Sequence, residues 1–276
     1  MRGMARRGLL ALLGAAALLA TPARAAADYR LFDAHIHYSQ DAWDGLTPER
    51  ALSILARAGV FRALVSSTPD DGTLKLWERA PKGIVPMLRP YRTRGDMGSW
   101  PRDPAVQAYV EERLARGIYR GIGEFHLGVA DADAPVVRRF AELAAERDIF
   151  FLAHVDDTTV EKLLTLYPRV KILWAHAGMS ASPATVGRLL DRSTRLWVEL
   201  SYRTDVAPGG TLDPAWRALF LRHPDRFMVG TDTWTPSRWE TVREGMRLVQ
   251  DWLAQLPPDV AEQIAWKTGE RLFPAP

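Results

Sequence analysis

Short apolar runs alternate with longer amphipathic stretches along nearly the whole chain. The runs are rich in β-branched and aromatic residues. They read as strands at Arg30–His37, Ala63–Ser67, Ile84–Arg89, Gly121–Phe125, Phe150–Val155, Lys171–His176, Leu196–Ser201 and Phe227–Asp232. Between them, Ala, Leu, Arg and Glu recur at helical spacing. Pro48–Ala58 opens behind Thr47 and Pro104–Arg116 behind Asp103, each with a capping side chain and proline in the first turn. Pro135–Arg147, Thr158–Tyr167, Pro183–Asp191, Pro214–Leu221 and Pro236–Leu256 continue the series. A weaker helix falls near Leu74–Ala80, and Pro258–Glu270 closes the chain. Eight strand-then-helix units imply parallel strands with right-handed crossovers. An α/β fold of the (β/α)8 TIM-barrel type is the simplest closure. A doubly wound open sheet also satisfies the alternation, but no glycine-rich phosphate loop follows the first strand. Residues 91–103 form the most irregular stretch and read as a mobile loop over a site.

The first 25 residues stand apart. A basic start (Arg2, Arg6, Arg7), an apolar run from Leu9 to Ala20 and the Ala23-Arg24-Ala25 site read as a secretory signal peptide cleaved near Ala25. The run is too short to span a bilayer, which takes ~20 residues. Arg6-Arg7 also resembles a twin-arginine signal. The expectation is an exported, periplasmic or secreted protein without a stable membrane anchor, its single barrel domain running over residues 26–276.

This changes the charge balance. The full chain of 276 residues carries +3. Without the four arginines of residues 1–25, 32 basic residues stand against 33 acidic ones, a formal charge of −1. Nucleic-acid binding is not expected, and the expected partner is a small-molecule substrate. There is no cysteine, so the core alone must hold the fold.

Six chemistry-bearing residues fall at or near strand ends: His35 and His37 in FDAHIHY, Glu124 in GIGEFHL, His154 in FFLAHV, His176 in ILWAHAG and Asp232 in MVGTDTW. Only six histidines occur in the chain, and four lie here. Imidazole and carboxylate are the usual ligands of zinc and similar divalent ions. His35 and His37, two apart on a strand, point to one side and can reach one ion. The C-terminal strand ends are where barrel active sites form. Arg89 and Tyr91 after the third strand, Tyr202 and Arg203 after the seventh, and Trp234 after the eighth are candidate substrate contacts. His126 lies on the same side as Glu124 if the strand continues. His223, before Pro224, reads as a helix-terminal cation.

FDAHIHY, VKILWAHAG, HPDRFMVGTDTW and IAWKTGERLF together resemble the amidohydrolase superfamily of metal-dependent barrels, over residues 29–273. HP-DRF-GTD is most similar to the amidohydrolase-2 branch, which includes decarboxylases. GIGEFHL more resembles branches with a metal-bridging glutamate on strand four, including TatD-type nucleases. The resemblance implies that His35, His37 and Asp232 hold a buried ion, that His154 and His176 hold a second, and that Glu124 bridges them. In one-metal relatives His154 completes the first set and His176 contacts substrate. No lysine lies in the fourth-strand run to serve as a carboxylated bridge. The closing segment departs from the usual Asn-Ala, reading Thr268-Gly269.

The expected cofactor is therefore one or two divalent ions, zinc first among them. The expected activity is a metal-dependent hydrolase cleaving an amide, ester or lactone bond. Asp232 would act as general base and acid, and His176 would polarise the bond under attack. A metal-dependent decarboxylase or a phosphoesterase is the alternative.

Overall fold

A computed structural model describes residues 28–276. The proposed signal peptide lies outside these residues. Eight parallel strands follow the predicted order: β1 (Leu31–Ile36), β2 (Val60–Val65), β3 (Ile84–Pro86), β4 (Gly121–His126), β5 (Phe150–His154), β6 (Lys171–Trp174), β7 (Leu196–Glu199) and β8 (Phe227–Met228). Continuous ladders join β1 to β3 in one arc and β4 to β8 in another. Isolated bridges close the two seams, Leu88 to Ile122 and Ile36 to Thr233. Backbone bonds reinforce them, with Gly123 N–H donating to the Leu88 carbonyl and Asp232 N–H to the His35 carbonyl. The result is a (β/α)8 barrel.

The helices are α1 (Gln40–Trp43), α2 (Pro48–Arg57), α3 (Asp71–Arg79), α4 (Pro104–Leu114), α5 (Pro135–Glu146), α6 (Asp157–Leu166), α7 (Pro183–Arg192), α8 (Pro214–Arg222), α9 (Pro236–Leu253), α10 (Pro258–Glu262) and α11 (Thr268–Leu272). Thr47 and Asp103 cap α2 and α4 as their sequences require, each side chain accepting a backbone N–H. The predicted last helix is interrupted by a π turn at Gln263–Lys267.

Two apolar cores follow. Phe32, Ala34, Leu64, Met87, Phe150, Leu152, Leu173, Trp197 and Met228 form an inner cluster together with Phe273. The Phe273 ring packs 4.7 Å from Phe150 and 6.1 Å from Phe32, so the chain terminus plugs the end of the barrel where the strands begin. A larger cluster fills the layer between strands and helices. The Thr268-Gly269 departure has a steric cause, because a Cβ at Gly269 would sit 2.4 Å from the Phe32 ring.

Residues 91–103 are anchored rather than loose. Trp100 is fully buried and stacks on Phe140 at 5.8 Å. Arg92 pairs with Asp96 and Asp103 at 2.8 and 2.7 Å. The stretch winds into two short 3-10 turns over the C-terminal face.

Candidate metal centre

The barrel brings all six predicted ligands together at the end where the strands finish. His37, His176 and Asp232 stand just past the hydrogen-bonded strands rather than within them. The cause is local backbone. His176 and Asp232 both take left-handed conformations, with φ of 56° and 45°, which a ladder cannot accommodate. A register shift between Asp33 and Ile36 accompanies His35 within β1 and His37 just beyond it.

His35 Nε2 and His37 Nε2 lie 3.1 Å apart. His37 Nε2 is 3.2 Å from Glu124 and 3.1 Å from Asp232. Glu124 lies 2.8 Å from His154 Nδ1, 3.5 Å from His35 Nε2 and 3.6 Å from His176 Nε2. Asp232 approaches His35 Nε2 at 3.6 Å and His176 Nε2 at 3.9 Å.

The outer partners fix which nitrogen carries each proton. His35 Nδ1 faces the Glu199 carboxylate at 2.9 Å. His37 Nδ1 faces the Ser66 carbonyl, and His176 Nδ1 lies 2.8 Å from the Ser201 hydroxyl and 3.2 Å from the Ser201 carbonyl. A carbonyl or carboxylate only accepts, so Nδ1 of His35 and of His37 donates, and the two Ser201 oxygens, both able to accept, take the His176 Nδ1 proton. Each Nε2 is then a bare lone pair turned to the centre. Two such lone pairs 3.1 Å apart repel unless a cation lies between them, and His176 Nε2 is buried without any hydrogen-bond partner. A ring whose other N–H is held by a carboxylate or carbonyl is the arrangement of metal-bound histidine. The residues present therefore fit one or two divalent ions. Three overlapping donor triads meet this geometry: His35 with His37 and Asp232, His35 with Glu124 and His176, and Glu124 with His126 and His154.

The electrostatics agree. Burial opposes charge on His35, but Asp232 and Glu124 outweigh it and push its pKa well above the ordinary value. Burial would raise Glu124, yet His35, Arg89 and the bond from His154 hold it well below the carboxylate range. Asp232 is likewise held low against its burial by His35 and His37. Both carboxylates are thereby kept in the charged form that binds a cation.

Two fully buried carboxylates were not anticipated from the sequence. Glu199, last residue of β7, accepts from His35 Nδ1 at 2.9 Å, from His176 N–H at 3.3 Å and from Ser201 N–H. Asp33 accepts from the backbone of His35 and from Thr231, and burial pushes its pKa up to about 7. Their signal was present: an acidic residue within or ending an apolar strand is costly to bury without a partner.

The proposed substrate residues divide. Arg89 and Trp234 line a 350 Å³ cavity with His37, Glu124, His154 and Asp232. Arg89 donates to the Glu124 carboxylate at 2.7 Å, and Trp234 is 40% exposed at the rim. Tyr91 also borders the cavity but is fully buried, its hydroxyl against His126. Arg203 is a correction. Its guanidinium donates to the carbonyls of Ala177 and Ala181 and pairs with Asp205, so it braces the turn that carries His176. Tyr202 is also displaced from this cavity. It packs edge-on to His176 at 5.7 Å and lines a separate 720 Å³ cleft beneath Arg238. His223 caps α8 with its Nε2 3.2 Å from Asp191, and burial lowers its pKa against the pull of that carboxylate.

Comparison with known proteins supports the barrel fold. Solved structures of similar fold include a protein from Acinetobacter baumannii assigned as a 2-pyrone-4,6-dicarboxylic acid hydrolase, with citric acid bound. It has a TM-score of 0.62 and 11% identity, over 88% of this chain and 99% of that one. A Pseudomonas putida protein with the same assignment has a TM-score of 0.62 and 18% identity, over 89% and 97%. YjjV, a TatD homologue from Escherichia coli K12, has a TM-score of 0.62 and 18% identity, over 91% and 100%. A search of curated protein sequences found no match. The amidohydrolase family profile matches residues 17–275. With its eight-stranded barrel and convergent histidines and carboxylates, the chain belongs to the amidohydrolase family of metal-dependent enzymes.

Proposed function

We propose that this enzyme is an exported hydrolase that uses two divalent ions, zinc by preference, to cleave an amide, ester or lactone bond in a small organic molecule. One observation carries the reading: the lone pairs of His35, His37 and His176 converge on Glu124 and Asp232 with His176 Nε2 unsatisfied. His35, His37 and Asp232 would hold one ion, His154 and His176 the other, with Glu124 shared. When bound, the ions would bring the pKa of a water down to ~7 and polarise the oxygen of the bond under attack.

Asp232 lines the cavity beside Glu124 and is the more accessible of the two carboxylates, its side chain 12% exposed against 3%. It takes the proton from the attacking water and returns it to the leaving group. His176 lies 3.9 Å away across the centre and would help hold the ion that polarises the substrate oxygen. Two of the similar structures bear the name of a hydrolase acting on a 2-pyrone, which is a cyclic ester.

Asp232→Asn in the zinc-loaded protein should keep its circular dichroism and lose ~10²-fold or more in turnover on a panel of esters, lactones and amides. Undiminished turnover in this variant would refute the assignment.

A further inference from the structure

His126 stands at the junction of two cavities. One is the 350 Å³ cavity over the ligand cluster, and the other is a 540 Å³ cavity reaching toward Leu127, Asp156 and Met179. Met97 and His154 also border both, so the two cavities adjoin at these three side chains. His126 belongs by distance to a donor triad with Glu124 and His154. Distance alone would make it a ligand of the second ion, but its hydrogen bonds point elsewhere.

The Tyr91 hydroxyl accepts the backbone N–H of His126 at 2.7 Å and faces His126 Nδ1 at 3.2 Å. Tyr91 is fully buried, and burial keeps its phenol protonated. Its single proton has one acceptor within reach, which is Nδ1. If Nδ1 carried a proton instead, the buried hydroxyl would face two donors and its own hydrogen would have no partner. The bond from Tyr91 therefore leaves Nδ1 bare and places the ring proton on Nε2. Trp100 Nε1–H donates to the His126 carbonyl at 2.9 Å and holds the same backbone from the other side.

We propose that Tyr91 locks His126 as an Nε2–H donor for the substrate at the junction between the two cavities, and not as a metal ligand. The group it meets is an acceptor oxygen on the arm that leaves the ligand cluster. No cationic side chain lines the outer cavity among the described residues, whereas Asp131 and Asp156 do. The arm is therefore not anionic, and it is flanked by Leu127, Met97 and Met179. This goes beyond the hydrolase reading, and rests on it only for the identity of the bond that is cut.

The test uses the zinc-loaded protein labelled with ¹⁵N-histidine, with His126→Gln to assign the resonances. Long-range ¹H–¹⁵N correlation should show a bare Nδ1 and a protonated Nε2 on His126. A protonated Nδ1 or a zinc-bound Nε2 would overturn the proposal. Elemental analysis should find as many ions in His126→Gln as in the parent, and loss of an ion would also overturn it. Tyr91→Phe should abolish the tautomer preference at constant zinc content, and an unchanged tautomer counts against the lock. On any substrate the parent hydrolyses, His126→Leu should lower kcat by ~10²-fold, with His126→Gln recovering at least ~10-fold of it. Equal losses would exclude the donor role. A parent that hydrolyses no ester, lactone or amide refutes the proposed function, while tautomer and ion count still decide this inference.

Discussion

Glu199→Gln tests whether the buried carboxylate behind the histidines tunes them. Glu199 is fully buried and receives three N–H donors on two oxygens. Glutamine replaces one oxygen with an NH₂ group. Turned toward His35, that NH₂ would face two donors; turned toward Ser201, it faces one. The second orientation is favoured, and one backbone N–H loses its acceptor at a cost of about 1–3 kcal/mol in stability. His35 keeps an acceptor, but a neutral one, and a charge-assisted bond is roughly twice as strong as a neutral one. Loss of such an outer partner weakens metal binding by about 10- to 100-fold. Because one acceptor survives, the expected loss is near the lower end, about 1.4 kcal/mol. Competition titration of zinc against a chromophoric chelator measures the affinity, and urea unfolding the stability. Zinc affinity within about twofold of the parent would refute the reasoning, because a loss of at least about tenfold is what an outer ligand partner predicts.

Further predictions follow from the same packing. Gly230→Ala should weaken zinc binding without changing any charge, since its Cβ would fall 2.3 Å from Glu199 Oε1; the chelator titration reads this too. Trp100→Ala removes a fully buried ring stacked on Phe140 and should destabilise the barrel by about 3–5 kcal/mol in urea. Asp70 lies far from the ligands, and burial outweighs its bonds to Tyr119 and Arg113 and raises its pKa to about 6. The fold thus favours its protonated form. That stabilisation is fully present below the unfolded value near 4 and is lost as pH rises through about 6, roughly 2–3 kcal/mol in all. Asp70→Asn should remove this component from the stability–pH curve measured by urea unfolding, and an identical slope in both proteins would show that Asp70 does not carry it.

The eight strands were legible because each apolar run carries a polar residue where it reaches the C-terminal face. Phe150–His154 and Gly121–His126 reproduce their expected spans to within a residue. The ends of β6 and β8 were not legible. Sequence periodicity registers neither the left-handed residue at His176, two past the end of β6 at Trp174, nor the irregular pairing by which β8 leaves its ladder at Met228, four residues before Asp232. Glu199 escaped notice because LWVEL carries no histidine beside it, although its setting matches that of Glu124. Arg203 was misread for a different reason. A loop position says nothing about direction, and this guanidinium turns inward to carbonyls exposed by the sharp turn at Ala177. Tyr91 was placed near the site correctly, but its partner is His126, a relation between strands that no local pattern reveals.

The split of the barrel into two arcs bears on when the protein acquires its metal. The three-stranded arc brings His35 and His37; the five-stranded arc and the loop after it bring Glu124, His154, His176 and Asp232. Neither arc alone holds the donor set for two ions, and the bonds from Asp232 to the His35 backbone and from Gly123 to Leu88 form only when the seams shut. On the two-ion proposal, full metal loading would be a property of circular closure. A half-chain cut at the seams would retain only fragments of the ligand set. Holding both ions would therefore report a completed ring.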